Sequence, residues 1–128
     1  MSVETDLVAH LQTYAGLAAL VLTRVYPDVR AQNALLPHVV CLRVTTPRWQ
    51  ALGASSPILA SNPLFQFTIW STSAANREAV ATQLRLGLTD FAENHAACAI
   101  FEDERNSIDP ETKLWRRDID TRILHIGA

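Results

Sequence analysis

The most regular alternation of apolar and polar residues lies near the end of the chain, between Leu114 and Ile126. One set of alternating positions is mostly apolar and is interrupted by an arginine: Trp115, Arg117, Ile119, Thr121 and Ile123. The other set carries charge: Arg116, Asp118, Asp120 and Arg122. A period of two predicts a strand with one buried face.

This predicted strand is long for its domain. An extended chain from 114 to 126 reaches about 40 Å at about 3.3 Å per residue. A compact domain of 128 residues is only about 36 Å across. We therefore expect a strand that either bends or extends beyond its domain and presents its charged face to a neighbour. This favours a role in assembly over a role in catalysis.

Two segments carry apolar residues at the spacing of a helix. The first begins at Val3, and we expect Gly16 to interrupt it before a short continuation. The second is expected to run from a serine cap, Ser71 or Ser73, to about Phe91.

The remaining apolar runs predict strands, and they are short enough to alternate with turns. These runs are His38 to Thr46 (with Val40, Leu42 and Val44 on one side), a short edge strand near Ile58-Leu59, Leu64 to Ser71, and Ala97 to Glu102. An acidic turn from Asp103 to Thr112 is expected to join the last two strands into a hairpin. The order of elements predicts an α+β fold with a mostly antiparallel sheet of four to five strands and two helices packed on one face.

Composition is that of an ordinary globular protein, and 128 residues suggest one domain covering 1–128. The net charge of −2 argues against nucleic acid as the main partner. The longest apolar run, Leu17 to Leu22, is too short to cross a membrane, and the acidic N-terminus is unlike a secretion signal. Cys41 and Cys98 lie in strand-like apolar runs, which favours buried free thiols over a disulfide.

No catalytic motif is evident, because the chain lacks a glycine-rich phosphate loop, a nucleophile elbow and a Cys-x-x-Cys pair. The best candidate for a metal site is the acidic run Glu102, Asp103, Glu104, Asp109 and Glu111. It lacks the ligand order and the turn glycine of an EF-hand. A solvated hairpin tip and a docking surface for a basic partner are the alternatives. We therefore expect no enzymatic activity, no bound metal and no cofactor.

The segment from Pro47 to Pro63 is rich in Ser, Ala and Pro and is long for a connection inside a compact domain. Within it, Trp49 follows Arg48. A large aromatic side chain in such a segment either packs against the body of the domain or serves as a contact anchor.

Four segments together resemble the tail-completion, or tail-terminator, proteins of long-tailed bacteriophages and phage-derived particles. They are LAALVLTRVYP at 17–27, LPHVV at 36–40, FQFTIWS at 65–71 directly before a helix, and LWRRDID at 114–120. The resemblance spans nearly the whole chain, although the segment from Pro47 to Pro63 is matched less readily.

The resemblance implies a small α+β domain that assembles with copies of itself into a ring, expected to be hexameric. Such a ring caps the tail tube protein, stops its polymerisation and contacts a head–neck connector protein. The expected location is the head–tail joint of the virion after assembly in the host cytoplasm, with DNA passing through the ring but no specific nucleic-acid binding. The alternatives are another neck component, such as a head-closure or adaptor protein, and a small nucleic-acid-binding α+β domain.

The resemblance also suggests which residues face partners. The charged set Arg116, Asp118, Asp120 and Arg122 is expected at a subunit boundary or on the ring lining, with pairing inside one chain as the alternative. Contact with the tube or the neck is expected from two projecting segments, through Arg48, Trp49, Asp103, Glu104, Asp109 and Glu111.

Overall fold

The computed structural model describes residues 3–27, 35–45, 48–50, 58–95, 97–109, 111 and 113–126. Within these residues the chain forms three helices: α1 (Val3–Thr13), α2 (Ala15–Val21) and α3 (Ala74–Asn94). They also contain seven strands: β1 (Val25–Pro27), β2 (His38–Thr45), β3 (Arg48–Gln50), β4 (Ile58–Ser61), β5 (Leu64–Ser71), β6 (Cys98–Ile108) and β7 (Trp115–Ile126). The predicted α+β class is confirmed.

Five strands lie side by side in the order β1-β2-β5-β7-β6. Among the described strands β1 and β2 form the parallel pair, so the sheet is mostly antiparallel, as predicted. The hairpin of β3 and β4 attaches to the end of β7, where Ala60 pairs with Ile126 and Ser61 with His125. The long strand β7 therefore continues past β5 and carries this hairpin beyond the five-stranded part.

Helices and sheet share one hydrophobic core. On β5, Phe65, Phe67 and Ile69 are fully buried and alternate with half-buried residues, and on β7 Ile119 and Ile123 are fully buried. The helices contribute Leu7, Leu11, Leu17, Val21, Val80, Leu84, Leu88 and Phe91 to the same cluster. Burial of each large apolar side chain contributes about 1.5–3 kcal/mol relative to exposure. All three helices, rather than the predicted two, take part in this core.

The first helix is broken at Tyr14 and not at Gly16. Tyr14 has an extended backbone (φ −68°, ψ 118°) and serves as the N-cap of α2. Gly16 lies inside α2, where an added Cβ would collide with the side chain of Gln83 on α3. Gly87 on α3 packs closely against Leu11 and Tyr14, because an added Cβ there would lie 3.1 Å from the Leu11 side chain and 3.3 Å from the Tyr14 ring. Gly87 thus serves the close approach of α3 to α1, and Gly16 lies within α2 without interrupting it.

α3 begins where the sequence predicts, and the structure shows which of the two candidate serines is its N-cap. The hydroxyl of Ser73 accepts a hydrogen bond from the backbone N–H of Asn76 at 3.1 Å, so Ser73 is the N-cap. The hydroxyl of Ser71 donates to the carbonyl oxygen of Ser73 at 2.8 Å and supports the turn. The helix then continues a little past the predicted end at Phe91, to Asn94.

Two connections predicted as loops contain strands. The segment from Pro47 to Pro63 contains β3 and β4, and β4 confirms the short strand expected near Ile58-Leu59. It pairs with both β3 and β7, so the prediction that it lies at an edge is wrong. Residues 51–57 lie outside the described part. The expected turn from Asp103 to Thr112 is shorter, because β6 continues to Ile108. The predicted hairpin of β6 and β7 is confirmed.

On β2, the core lies on the side opposite to the valine-rich set of the sequence. Val39 and Cys41 are fully buried, whereas Leu42 is 41% and Val44 52% exposed. The register explains this arrangement, because Val39 lies opposite Ile69 and Cys41 opposite Phe67 on the core side of β5.

Both cysteines are free thiols, as predicted. Cys41 is buried, but Cys98 is exposed, so the prediction that both are buried is wrong for Cys98. Cys98 begins β6, which lies at the rim of the sheet and not in its core. Of the helices in the described residues, none has the length and apolarity that crossing a membrane requires.

Candidate functional site

The sheet has two faces, and the face away from the core cluster is called the outer face here. Registers across the strands place these residues on it: Leu42, Gln66, Thr68, Trp70, Arg105, Arg116, Asp118, Asp120 and Arg122. The structure therefore brings the four predicted charged residues of β7 onto one surface, next to the polar positions of β5 and β6.

At one end of the outer face, Asp118 accepts two hydrogen bonds. The hydroxyl of Thr68 on β5 donates to Asp118 Oδ1 at 2.7 Å, and Nε of Arg116 donates to the same oxygen at 3.2 Å. The guanidinium of Arg116 also lies over the Trp70 ring, 5.2 Å from its centroid. Asp118 is only 8% exposed, so these donors compensate a largely desolvated carboxylate.

At the centre of the outer face, Arg105 bridges two carboxylates that would otherwise repel each other. Asp103 lies directly opposite Asp120 in the β6–β7 register, and like charges in that position are destabilising. Arg105 Nη1 donates to Asp120 Oδ2 at 2.9 Å and also bonds Asp103. The hydrogen bond with Asp120, followed by that with Asp103, raises the pKa of Arg105.

At the other end, the guanidinium of Arg122 pairs with Glu102 and donates to the carbonyl oxygen of Asn62 at 3.3 Å. Glu102 is the extra residue of a β-bulge between Phe101 and Asp103. A bulge shifts the alternation of a strand by one residue. It therefore turns Asp103 and Arg105 toward the outer face.

The outer face as a whole is close to electrically neutral. It combines three arginines with four carboxylates: Arg105, Arg116, Arg122, Glu102, Asp103, Asp118 and Asp120. Each of the four predicted residues on β7 has a partner within its own chain. A balanced surface of this kind is poorly suited to binding phosphate backbones, which require excess positive charge. A position for it at a subunit boundary or on a ring lining stays a prediction.

The opposite face of the same hairpin carries a second cluster of charges that the sequence did not reveal. Arg117 is 6% exposed; its guanidinium pairs with Glu78 on α3, and its Nε donates to Asn106 on β6. The hydrogen bond from Arg117 lowers the pKa of Glu78. Arg85 on α3 bonds Glu104 on β6 at 2.8 Å. These contacts attach the hairpin to α3.

One signal in the sequence pointed to this cluster. Arg117 interrupts the apolar positions of β7, and a charged side chain on a buried face requires a partner. The identity of that partner was not predictable, because Glu78 belongs to a different element and lies far away in sequence.

The predicted tube or neck contacts are distributed over three elements. Arg48 and Trp49 lie in β3, and their side chains are outside the described part of the structure. Asp103 and Glu104 lie within β6 rather than at a hairpin tip, which corrects their predicted location. Their side chains point to opposite faces because the strand alternates.

Asp109 and Glu111 lie in the turn between β6 and β7. The backbone N–H of Asp109 donates to the carbonyl oxygen of Leu114 at 3.0 Å. The backbone N–H of Lys113 donates to the carbonyl oxygen of Asp109 at 2.7 Å. The side chain of Asp109 also accepts from the N–H of Glu111 at 2.9 Å. Lys113 has a positive φ of 57°, which closes the turn. Asp109 and Glu111 are thus joined to each other and, through the Asp109 backbone, to Lys113 and Leu114 by hydrogen bonds.

The acidic run does not converge on a metal site. Across the described residues, no group of three His, Cys, Asp or Glu side chains is arranged to hold a metal ion. Glu102 and Asp103 pair with arginines of the outer face, whereas Glu104 pairs with Arg85 on the helix side.

A family model described as "Tail completion protein gp17" matches residues 5–126 of the chain, from within α1 to the end of β7. No curated protein sequence matches the chain significantly.

Among solved structures, the chain is similar to one from the "Virion of native gene transfer agent (GTA) particle". The TM-score is 0.69 at 17% sequence identity, and the similarity covers 98% of this chain and 96% of that one. At this identity the comparison establishes a shared fold over nearly the whole length of both chains.

Proposed function

Because the chain belongs to the tail completion protein gp17 family, we propose that it is a structural component of a virion that completes the tail. Copies of the chain assemble into a ring, with six as the expected number. The ring caps the tail tube, stops its polymerisation and joins the tail to the head–neck connector at the head–tail joint. Assembly takes place in the host cytoplasm. The observation that carries this proposal is the family match over residues 5–126.

The structural comparison supports the same role. The similar solved chain comes from the virion of a gene transfer agent particle, and the two chains share their fold over nearly their whole length. A fold that occurs in an assembled particle is compatible with a structural part in another.

The charges of the hairpin support a structural rather than a catalytic role. Catalytic groups converge on a cleft and leave a reactive atom available to a substrate. Here the described charged side chains of β6 and β7 are paired with one another or with α3. We therefore propose no enzymatic activity for this surface.

The position of the two projecting elements supports a ring with two different faces. The β3–β4 hairpin attaches at the Ile126 end of β7, and the turn with Asp109 and Glu111 lies at its Trp115 end. A strand of 12 residues separates them by about 40 Å at about 3.3 Å per residue. If β7 runs along the ring axis, one element reaches the tail tube and the other reaches the neck.

Deletion of the gene tests the proposal in the intact system. Loss of a terminator is expected to leave overlong or unattached tails, because nothing stops tube growth or makes the joint. Loss of a head-closure or adaptor protein would instead leave tails of normal length beside leaking heads. Electron microscopy of the lysate distinguishes these outcomes, and the second would overturn the proposal in favour of another neck component.

Purified components test the proposed contacts directly. Electron microscopy of the protein mixed with tail tubes is expected to show rings at tube ends. The variants Arg48→Ala/Trp49→Ala and Asp109→Asn/Glu111→Gln should each lose one contact, to the tube or to the connector, and keep the other. Glu93→Gln, an exposed change on α3, serves as the control. Bare tube ends with the unchanged protein would contradict the proposal.

A further inference from the structure

The turn that joins α2 to β1 places a leucine in a backbone conformation that favours glycine. Leu22, the C-cap of α2, has φ 56° and ψ −124°. The N–H of Arg24 donates to the carbonyl oxygen of Val21 at 2.9 Å, so these residues close a β-turn with Leu22 as its first central residue. The angles are those of a type II′ turn, where glycine is preferred because a Cβ crowds the backbone. The backbone at Leu22 is therefore strained.

Burial within its own chain does not compensate Leu22 for this strain. Its side chain is 60% exposed, whereas Leu17 and Val21 on the same helix are fully buried. An apolar side chain that stays in water contributes little to folding. The fold of the single chain thus gives no reason for leucine at this position.

A second residue with positive φ shows that strain alone is no sign of a contact. Lys113 has φ 57° and is exposed in the turn between β6 and β7. Lysine is ordinarily found at the surface, where water solvates its charge. Leu22 differs from Lys113 because its exposed side chain is large and apolar.

Residues in unfavourable backbone regions concentrate at functional sites, where the surrounding structure holds them in place. Leu22 has the properties of a contact anchor. Burial of its side chain against a partner would remove apolar surface from water. The turn also fixes the position of the side chain before binding, which reduces the entropy lost on association.

The position of the turn indicates which partner Leu22 meets. β1 follows the turn and is the last described strand on its side of the five-stranded sheet. Two strands, β2 and β5, separate β1 from β7, which corresponds to about 14 Å. The registers from β1 through β2 and β5 to β7 place Val25 level with Arg117, which lies within β7. The turn therefore lies beside the sheet and away from the β3–β4 hairpin.

In the proposed ring, the two ends of β7 are directed toward the tail tube and the neck. The sides of the sheet are then directed toward the neighbouring copies, because a ring surrounds its axis with identical subunits. A residue beside β1 accordingly faces the next copy of the chain.

We infer that Leu22 is a contact anchor between copies of this chain and packs against an apolar surface of the neighbouring copy. The inference rests on the proposed ring and adds to it a residue of the subunit contact. Assembly removes Leu22 from water and so offsets the strain of the turn.

Photo-cross-linking from position 22 identifies the partner. The photoreactive amino acid p-benzoylphenylalanine replaces Leu22, and the protein is irradiated together with tail tubes and the connector protein. We expect covalent multimers of this chain. The same replacement at Leu86, an exposed residue of α3, serves as the control and should give none. Cross-links only to the tube or the connector, or no cross-links in samples that contain rings, would overturn the inference.

Three substitutions separate the side chain of Leu22 from the strain of its backbone. Leu22→Ala removes the apolar side chain and keeps the strain, and it should raise the protein concentration needed for ring formation about tenfold. Leu22→Gly should weaken ring formation equally, but it relieves the strain and should be more stable than Leu22→Ala in urea denaturation. Glycine is ordinarily the less stable of the two. Leu22→Met keeps an apolar side chain and should retain ring formation.

Lys113→Gly is the matched control, because it relieves a positive φ in another exposed turn and should leave ring formation unchanged. Normal ring formation by Leu22→Ala would overturn the inference, since the side chain would then be dispensable. Lower stability of Leu22→Gly than of Leu22→Ala would overturn it as well, because the turn would then not be strained.

These experiments separate the inference from the proposed function. Rings that cross-link through position 22 but do not cap tail tubes would refute the terminator role and leave the subunit contact intact. Rings of Leu22→Ala that form and cap tubes as readily as the unchanged protein would do the reverse. A protein that forms no ring alone or with tubes would refute both.

Discussion

The two faces of β7 carry similar ion pairs in different surroundings. On the helix side, Arg117 is 6% exposed and contacts Glu78. On the outer face, the Arg105 side chain is 47% exposed and contacts Asp120. Both arginines bond carboxylates across elements, but only Arg117 is largely removed from water. The contrast separates contacts that hold the hairpin on the helix layer from contacts that can rearrange during assembly.

The physical reason for the difference is desolvation. An exposed ion pair contributes only about 0.2–1 kcal/mol, because water screens it and solvates the separated charges almost as well. A buried guanidinium without a partner costs several kcal/mol, so its partner is effectively required by the fold. The exposed pair of Arg105 with Asp120 on the outer face can therefore be exchanged for an intersubunit pair at little cost. The buried Arg117, on the face toward α3 (the helix face), cannot exchange its partner in this way.

The largest expected effect concerns the apolar part of the helix face. Ile119→Ala removes a fully buried side chain from the core cluster and should lower the free energy of unfolding by about 2–5 kcal/mol. Urea denaturation followed by circular dichroism measures this free energy of unfolding. Leu42→Ala, on the exposed side of β2, should change the free energy of unfolding by no more than about 0.5 kcal/mol. Similar losses for the two variants would contradict the assignment of faces.

The next effect concerns the buried arginine. Arg117→Met keeps an apolar stem but removes the hydrogen bonds to Glu78 and Asn106. We expect a loss of about 1.5–3 kcal/mol, as for hydrogen bonds that involve a charged group. Denaturation measurements in Arg117→Met and Arg105→Met compare the two faces with the same substitution. If Arg105→Met is the more destabilising variant, the proposed contrast is wrong.

A smaller effect on stability is expected from the outer face. Asp120→Asn weakens the pair with Arg105 and should cost only about 0.2–1 kcal/mol. If this face lies at a subunit boundary or on the ring lining, the variant should alter ring formation or tube capping more than unfolding. Sedimentation velocity and capping assays measure this difference. A change confined to unfolding would indicate that these charges act within one chain.

The smallest expected effect is a change in how stability depends on pH, and it concerns Glu78 on the helix face. The folded-state pKa of Glu78 lies below its ordinary value of 4.5, so its contact with Arg117 stabilises the fold above that pH. This contribution is lost as the pH falls through the lowered pKa, because the unfolded chain binds the proton first. Glu78→Gln should flatten the decline in stability below about pH 4.5. An unchanged acid profile would exclude this role of Glu78.

Local patterns were sufficient for much of the fold. The alternation in β5 and β7 and the apolar spacing of α3 gave these elements close to their observed bounds, because each buries one face against the same core. The serine cap of α3 followed from its chemistry. The hairpin of β6 and β7 was also predictable, since two strand-like runs flank an acidic turn.

The candidate site was predictable only in part. The charged set on β7 could be recognised, because alternation assigns Arg116 to Arg122 to one face. Its partners Arg105 and Glu102 could not, since the bulge in β6 shifts their faces by one residue. Runs such as Asp103 to Ile108 have the composition of a turn and become a strand only by pairing with β7.

By itself, the sequence determined the fold class, the long two-faced strand and the resemblance to tail-completion proteins. These features depend on the spacing of apolar residues and on the residue types within short segments. Both are local properties of the sequence. The tertiary structure decided which side of β2 enters the core, which partner accompanies Arg117, and in which order the described strands lie in the sheet. These features depend on register between strands that are distant in sequence, and the shift of one residue exchanges the two faces.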